Sequence, residues 1–205
     1  MLAIYVVFMA LAIYHRNKNT YIYFKTLTSL MFVITGIYYG IQKQNFFLIP
    51  TLIGFFISDI MLATKLRRSF IYGMGGFFLA DVWLVSRLYR LKPVGFEDFI
   101  LPIFILIFVF YIGKHPKMHL GHYKKPMYGY GFVLALTLTK SIECYVQNGT
   151  KSYLLLAVGM LFYFISDFLL MFQYFYTTKH RDKFKIAKML FYFIGAFFIA
   201  SSIGV

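Results

Sequence analysis

Apolar residues in this chain neither alternate nor trace a narrow helical stripe; they run on unbroken. Eight continuous segments, over residues 1–14, 21–41, 45–64, 70–89, 98–113, 127–146, 151–176 and 186–205, are separated by short clusters of polar residues, Gly and Pro. Most are close to the ~20 residues that a helix needs to cross a bilayer, and unbroken runs argue against membrane strands, which alternate. The pattern predicts an all-α polytopic membrane protein, a bundle of eight transmembrane helices in one domain over 1–205. The first segment is short: about 14 residues rise roughly 21 Å, under the ~30 Å of a hydrocarbon core. Either that helix continues through the polar residues that follow, or residues are missing upstream. Without a basic lead or a cleavage site, it reads as a spanning segment and not a signal peptide.

The polar clusters set the orientation. Connections after the first, third, fifth and seventh segments hold 14 Lys and Arg, and the other connections hold five. Basic residues accumulate on the cytoplasmic side, so both termini are expected on the opposite side. The net charge of +14 then reflects where the loops lie, beside anionic lipid, and not nucleic acid. With 60% hydrophobic and 14% charged residues, the chain is excluded from the class of soluble domains. A multi-pass integral membrane protein is expected, in the cell membrane of a bacterium or an internal membrane of a eukaryote. The lone Cys144 excludes an intrachain disulfide and a thiolate metal cage.

Two segments repeat. Residues 55–62 read FFISDIML and residues 163–170 read YFISDFLL, while YGMGGFFLAD at 72–81 resembles YFIGAFFIAS at 192–201. Segments four apart point the same way, which predicts a parallel 4+4 internal repeat with halves of about 1–90 and 98–205. Segments 1–2 have no convincing match in 5–6. Gly76 and Ala80, and Ala196, Ala200 and Gly204, recur at four-residue spacing, the small-residue pattern that lets membrane helices approach closely.

Six acidic or basic residues lie three or more positions from either end of a segment: Lys25, Asp59, Asp81, Lys140, Glu143 and Asp167. Each costs roughly 2.5 kcal/mol or more on insertion scales, so the default reading is functional. Counting from the basic end at ~1.5 Å per residue places Lys25 and Asp59 roughly 7 Å deep, and Asp81 and Asp167 at roughly 14–16 Å. These four are expected to share one polar cavity open toward the basic face, with Ser58 and Ser166 beside the two repeated aspartates. Competing structural readings are a snorkelling Lys25, an interfacial Glu143 and a Lys140–Asp81 pair. Two carboxylates in one poorly hydrated site rarely both ionise, which sets a proton donor beside an acceptor. That suits acid–base hydrolysis or proton-coupled transport. His115, His119 and His122 share a spacing, but Pro116 and Gly121 interrupt any helix there, so a solvated loop is expected and no metal site. Asn148-Gly149-Thr150 fits a glycosylation sequon close to the membrane.

Taken together, these motifs resemble the YhhN-type lysoplasmalogenases, eight-helix membrane proteins that hydrolyse the vinyl ether bond of lysoplasmalogens. The resemblance runs from Lys25-Thr26 to Tyr192. It is strongest at Asp59 with Leu62, at Gly73 through Ala80, and at Phe164, Ser166, Asp167, Leu170 and Phe175. It implies that Asp59 and Asp167 are catalytic, with Asp167 as acid and Asp59 as base. It further implies that Lys25 binds the phosphate of a lysophospholipid, that Asp81 holds the acid or the water, and that Lys140, Ser58 and Ser166 support the site. No cofactor is implied, and the partners are the lysophospholipid and membrane lipid; any oligomeric partner is left open. The products would be a fatty aldehyde and a glycerophospho-alcohol. Three departures stand out: Asp81 where the family usually has His, Ala196 where it usually has Gln, and a long basic loop from Phe175 to Lys188. The alternative readings are a small-molecule or proton-coupled transporter or lipid carrier built from a duplicated four-helix unit, and a non-catalytic lipid-binding relative.

Overall fold

The computed structural model describes residues 1–64 and 68–204. Eight α-helices lie among them: α1 Leu2–Tyr14, α2 Tyr21–Lys43, α3 Ile49–Ala63, α4 Ser69–Leu91, α5 Ile100–Gly113, α6 Lys124–Asn148, α7 Lys151–Phe175 and α8 Arg181–Ser201. Short 3-10 turns precede α5 and α6 and follow α8. Five stretches are long and apolar enough to cross a bilayer: Tyr21–Lys43, Ser69–Leu91, Phe96–Gly113, Lys151–Phe175 and Arg181–Gly204. Helices α1 and α3 are apolar but shorter, and α6 is long but richer in polar residues. This is the composition of a membrane protein.

Local chemistry explains the boundaries. Helix α2 closes on Gln44 in the left-handed region (φ 51°), and α3 starts only at Ile49, with Pro50 in its first turn, where a missing N–H leaves no gap. The expected start at 45 was therefore early. Helix α1 stops at Tyr14 in a run of turns, so it does not continue through the polar residues. Helix α8 begins at Arg181, five residues before the expected 186, and takes Lys183, Lys185 and Lys188 into its first turns. The Asn148-Gly149-Thr150 sequence is a pair of helix caps: Gly149, at φ 62°, ends α6, and the Thr150 side chain accepts the Tyr153 amide to start α7.

One end of the bundle gathers the connections α1–α2, α5–α6 and α7–α8. Arg16 and Asn17 meet Asp182, and Lys185 donates to the Arg16 carbonyl and to Asn17 Oδ1. A two-stranded bridge joins Met118 to Tyr176, with His119 N–H to the Phe175 carbonyl and Thr177 N–H to the Lys117 carbonyl, both at 2.9 Å. Lys65 and Arg67, counted among the basic loop residues, lie outside the described residues.

Packing runs α1 on α2, α2 on α3 and α8, α3 on α4, α4 on α6, α6 on α5 and α7, and α7 on α8. The main core lies between α2, α3, α4, α7 and α8, filled by Phe32, Phe55, Phe77, Tyr163, Tyr192 and Phe193. A second, smaller core lies under α5, around Ile105, Val109, Met171 and Phe175. The outer face of α5 leaves Ile100, Ile103, Phe104, Ile107 and Phe108 exposed, a surface suited to acyl chains.

Small residues set the closest approaches. Gly54 faces Ala80 across α3 and α4, and Gly76 faces Ser58, so the Gly76–Ala80 spacing does mark a helix contact. Ala196 and Ala200 are buried likewise. In α7 and α8, Gly159 and Gly195 face each other so closely that a Cβ on Gly159 would sit 2.9 Å from the Gly195 carbonyl oxygen. Gly75, by contrast, has open space where a Cβ would go. Gly159→Ala should therefore force α7 from α8 and lose about 1–3 kcal/mol, while Gly75→Ala should gain up to about 1 kcal/mol through helix propensity. Thermal unfolding of the two variants in detergent checks the contrast; equal stabilities would show that the α7–α8 contact is loose.

Candidate active site

Asp59 lies inside the bundle at 1% exposure, on the face of α3 turned toward α2 and α8. Its Oδ1 pairs with Lys25 Nζ at 2.9 Å. Its Oδ2 accepts from Ser29 Oγ at 2.5 Å and from the Tyr192 hydroxyl at 2.6 Å. Lys25 also donates to the Asp59 backbone carbonyl at 3.2 Å. Lys25 and Ser29 are four apart on α2, which puts both donors on one face of that helix. The result is a carboxylate met by an ammonium and two hydroxyls, the arrangement that keeps a buried charge tolerable. Lys25 does not snorkel: it is 3% exposed, and its ammonium is committed to Asp59.

Asp167 has different company. The Tyr130 hydroxyl donates to its Oδ2. Tyr130 and Tyr163 share a hydrogen bond at 2.9 Å, and Tyr163 donates to Asp81 Oδ2 at 3.3 Å. A continuous chain thus runs Asp81–Tyr163–Tyr130–Asp167, from α4 through α7 and α6 and back to α7. Asp81 is fully buried, and its Oδ1 has no hydrogen-bond partner. Among the described residues, neither Asp81 nor Asp167 has a cation within ion-pairing distance. The fields of Lys188, half-buried on α8, and of Asp59, Lys25 and Asp81 reach Asp167.

Both carboxylates therefore point into the bundle, but they do not open onto one cavity. A wall of rings stands between them: Tyr163 packs on Phe55 at 4.6 Å, on Phe77 at 5.9 Å and on Tyr192 at 6.1 Å. Asp167 lines a small apolar cavity of about 50 Å³ between α5, α6 and α7, with Ile105, Val109, Tyr130, Phe164 and Met171. That volume holds little more than a water. A larger cavity, about 860 Å³, opens at the basic end over Arg16, Lys18, Tyr21, Ala63 and Lys185. Tyr21 and Ala63 are each one helical turn from Lys25 and Asp59, so its floor lies just above that pair.

The remaining expected site residues sort differently. Lys140 does not pair with Asp81. It is fully buried at the opposite end, bonded to Asp98 at 2.7 Å, to Glu143 at 3.0 Å and to the Pro93 carbonyl at 3.2 Å. Lys92 meets the same Glu143 at 3.0 Å, so Glu143 belongs to a buried-to-interface charge cluster. The physical reason is position along the helix: Thr137, one turn earlier on α6, is the residue beside the Asp81 carbonyl, and the Lys140 ammonium lies over Tyr89, two turns further along α4. Ser58 gives its hydroxyl to the Gly54 carbonyl at 2.7 Å and packs against α4, and Ser166 is buried at 1% exposure. Not foreseen were Ser29, Tyr130, Tyr163, Tyr192, Asp98 and Lys188. Ser29 was detectable from its spacing to Lys25, whereas tyrosines in a chain holding 18 of them carry no local signal.

The Lys140–Asp98 pair generates its own expectation. Lys140→Met leaves Asp98 buried without a cation, and breaking a buried pair on one side costs about 3–5 kcal/mol. Lys140→Met combined with Asp98→Leu should recover much of that loss. Denaturation midpoints of the single and double variants in detergent measure the difference, and a single variant as stable as the parent would show the pair to be hydrated.

A family model, the YhhN family, matches residues 20–203. No curated protein and no solved structure matches the chain. The match takes in both aspartates, the tyrosine chain and seven of the eight helices, and the chain belongs to the YhhN family.

Proposed function

We propose that this protein is a membrane hydrolase that cleaves the vinyl ether bond of a lysoplasmalogen or a related lysolipid, with Asp167 as acid and Asp59 as base. The observation that carries this reading is the contrast between the two carboxyls. Asp59 is met by the Lys25 ammonium and by the hydroxyls of Ser29 and Tyr192. Asp167 has a single phenol donor and faces an apolar cavity. A carboxylic acid in an apolar pocket can protonate the alkene carbon; Asp59, across the ring wall, acts on the resulting oxocarbenium ion through space and not by contact. The logic parallels that of glycosidic cleavage. Water then adds to the cation, and the hemiacetal collapses to aldehyde and alcohol.

The lipid's parts find places. Since Lys25 is committed to Asp59, the anionic head group is assigned to the basic cavity with Arg16, Lys18 and Lys185. The alkenyl chain is assigned to the gap under α5, whose outer face is already lipid-like. The 50 Å³ there requires α5 to move aside when a chain enters. The positive-inside bias assigns the basic end to the cytoplasm.

A second reading rests on the packing order. Shifting the packing by four helices maps α1–α2, α2–α3 and α3–α4 onto α5–α6, α6–α7 and α7–α8, and maps α4–α6 onto α8–α2, while the slighter α1–α8 contact has no such counterpart among the described residues. This supports a 4+4 duplication, an architecture that also suits a transporter or lipid carrier. Hydrolysis predicts fatty aldehyde release from lysoplasmalogen in detergent micelles, lowered about 10²–10⁴-fold by Asp59→Asn or Asp167→Asn. Transport predicts flux across liposomes that depends on the same residues and breaks no bond. Unchanged turnover in both variants would remove the assigned roles.

A further inference from the structure

The hydrogen bonds between Asp81 and Asp167 do not balance unless one of the two carboxyls carries a hydrogen. Three oxygen–oxygen contacts link them: Tyr163 to Asp81 Oδ2 at 3.3 Å, Tyr163 to Tyr130 at 2.9 Å, and Tyr130 to Asp167 Oδ2. Each contact needs one hydrogen, and each phenol brings one. If both phenols point at the carboxylates, the Tyr130 and Tyr163 oxygens face each other with lone pairs only. If one phenol serves the middle contact, the buried Asp81 or the half-buried Asp167 loses its donor, which is unfavourable for a carboxylate in a poorly hydrated site. A third hydrogen on either carboxyl satisfies every contact. It does so in two ways, since the direction of all three bonds reverses when the hydrogen changes ends.

The surroundings hold that hydrogen inside. Asp81 and Tyr163 are fully buried, Tyr130 is 9% exposed, and Asp167, at the end of the chain that faces the cavity, is half-buried. Among the described residues no Lys, Arg or His pairs with Asp81 or Asp167, whereas Asp59 has Lys25 at 2.9 Å. Asp81 also keeps one oxygen, Oδ1, without a donor, a poor setting for a full negative charge.

We propose that Asp81 and Asp167 share one proton along a relay through Tyr163 and Tyr130, and that Asp81 is the store from which Asp167 is loaded. The sharing stands on the hydrogen count; the delivery rests on the hydrolase reading above. In the stored arrangement Asp81 O–H donates to Tyr163, Tyr163 to Tyr130, and Tyr130 to the Asp167 carboxylate. During reaction each O–H passes its proton one place along. Asp167 receives one from Tyr130 and gives it to the alkene carbon, whose π pair forms the new C–H bond. Both phenols end intact, and Asp81 ends as a carboxylate. Water adds to the oxocarbenium carbon and releases one proton, which restores the store. Asp81 acts through the tyrosines and does not touch the substrate, so it is a positioning residue.

Infrared spectroscopy of the purified protein in detergent counts the proton without turnover. The difference between wild type and Asp81→Asn/Asp167→Asn in the carbonyl stretch of protonated carboxylic acid should equal one group. Zero or two groups would overturn the sharing. Tyr163→Phe, which keeps the ring but cuts the chain, should shift that band; an unmoved band also overturns it. For delivery, Asp81→Asn and Tyr163→Phe should each lower kcat by about 10²-fold with KM unchanged, and the double variant should be no slower than Asp81→Asn alone. Multiplying losses, or wild-type kcat in Asp81→Asn, would overturn delivery. If wild type itself releases no aldehyde, the hydrolase reading and the delivery role fall together, and the infrared count alone decides the shared proton.

Discussion

The ion pair between Lys25 and Asp59 is the constraint around which the bundle closes. Taking either charge into a low-dielectric core alone is prohibitive, and removing one partner of such a pair costs about 3–5 kcal/mol. Satisfying Asp59 therefore dictates that α2 present Lys25 and Ser29, and that α8 present Tyr192, to the same point on α3. Helix α1 is drawn in behind them, with the Tyr5 hydroxyl 2.6 Å from the Phe193 carbonyl next to Tyr192. Apolar packing alone does not specify which face of each helix turns inward in lipid, because tails are as apolar as leucine. A polar contact with several donors does.

The same rule explains why the two repeated aspartates ended in unlike settings. The similar stretches 55–62 and 163–170 each bring a Ser-Asp pair, but the neighbouring helices do not supply equivalent donors. Where α2 offers a lysine and a serine, α6 offers Tyr130. One carboxyl meets a counter-charge and the other a phenol. A pair that differs in this way is more useful for proton chemistry than a symmetric one, since the two groups can hold opposite protonation states without competing for one environment.

Much of this was legible from residue order. Unbroken apolar runs announce helices, and all eight appear within a few residues of their expected limits. The shifts trace to identifiable chemistry: Pro50 delays α3, and the first turns of α8 tolerate lysines because they lie at the basic end. The inward placement of Asp59, Asp81 and Asp167 followed from the penalty for leaving carboxylates in lipid. Which lysine answers which acid did not. Lys140 was within plausible reach of Asp81 by rough depth alone, yet the fold of the chain from Pro93 to Asp98 gave it another partner one turn further on. Asp98, the first residue of the fifth apolar segment, is fully buried. Tyrosine hydroxyls were invisible for a related reason: a phenol is counted as apolar in every hydropathy argument, although its oxygen decides the hydrogen-bond chain.

Helix α3, which carries Asp59, has 15 residues. At ~1.5 Å per residue it spans roughly 22 Å, several ångströms less than a typical hydrocarbon core. Lipid beside it compresses to match, and head groups and water are drawn down toward the Asp59 side. Hydrophobic mismatch thus brings the edge of the bilayer closer to the buried ion pair than a full-length helix would.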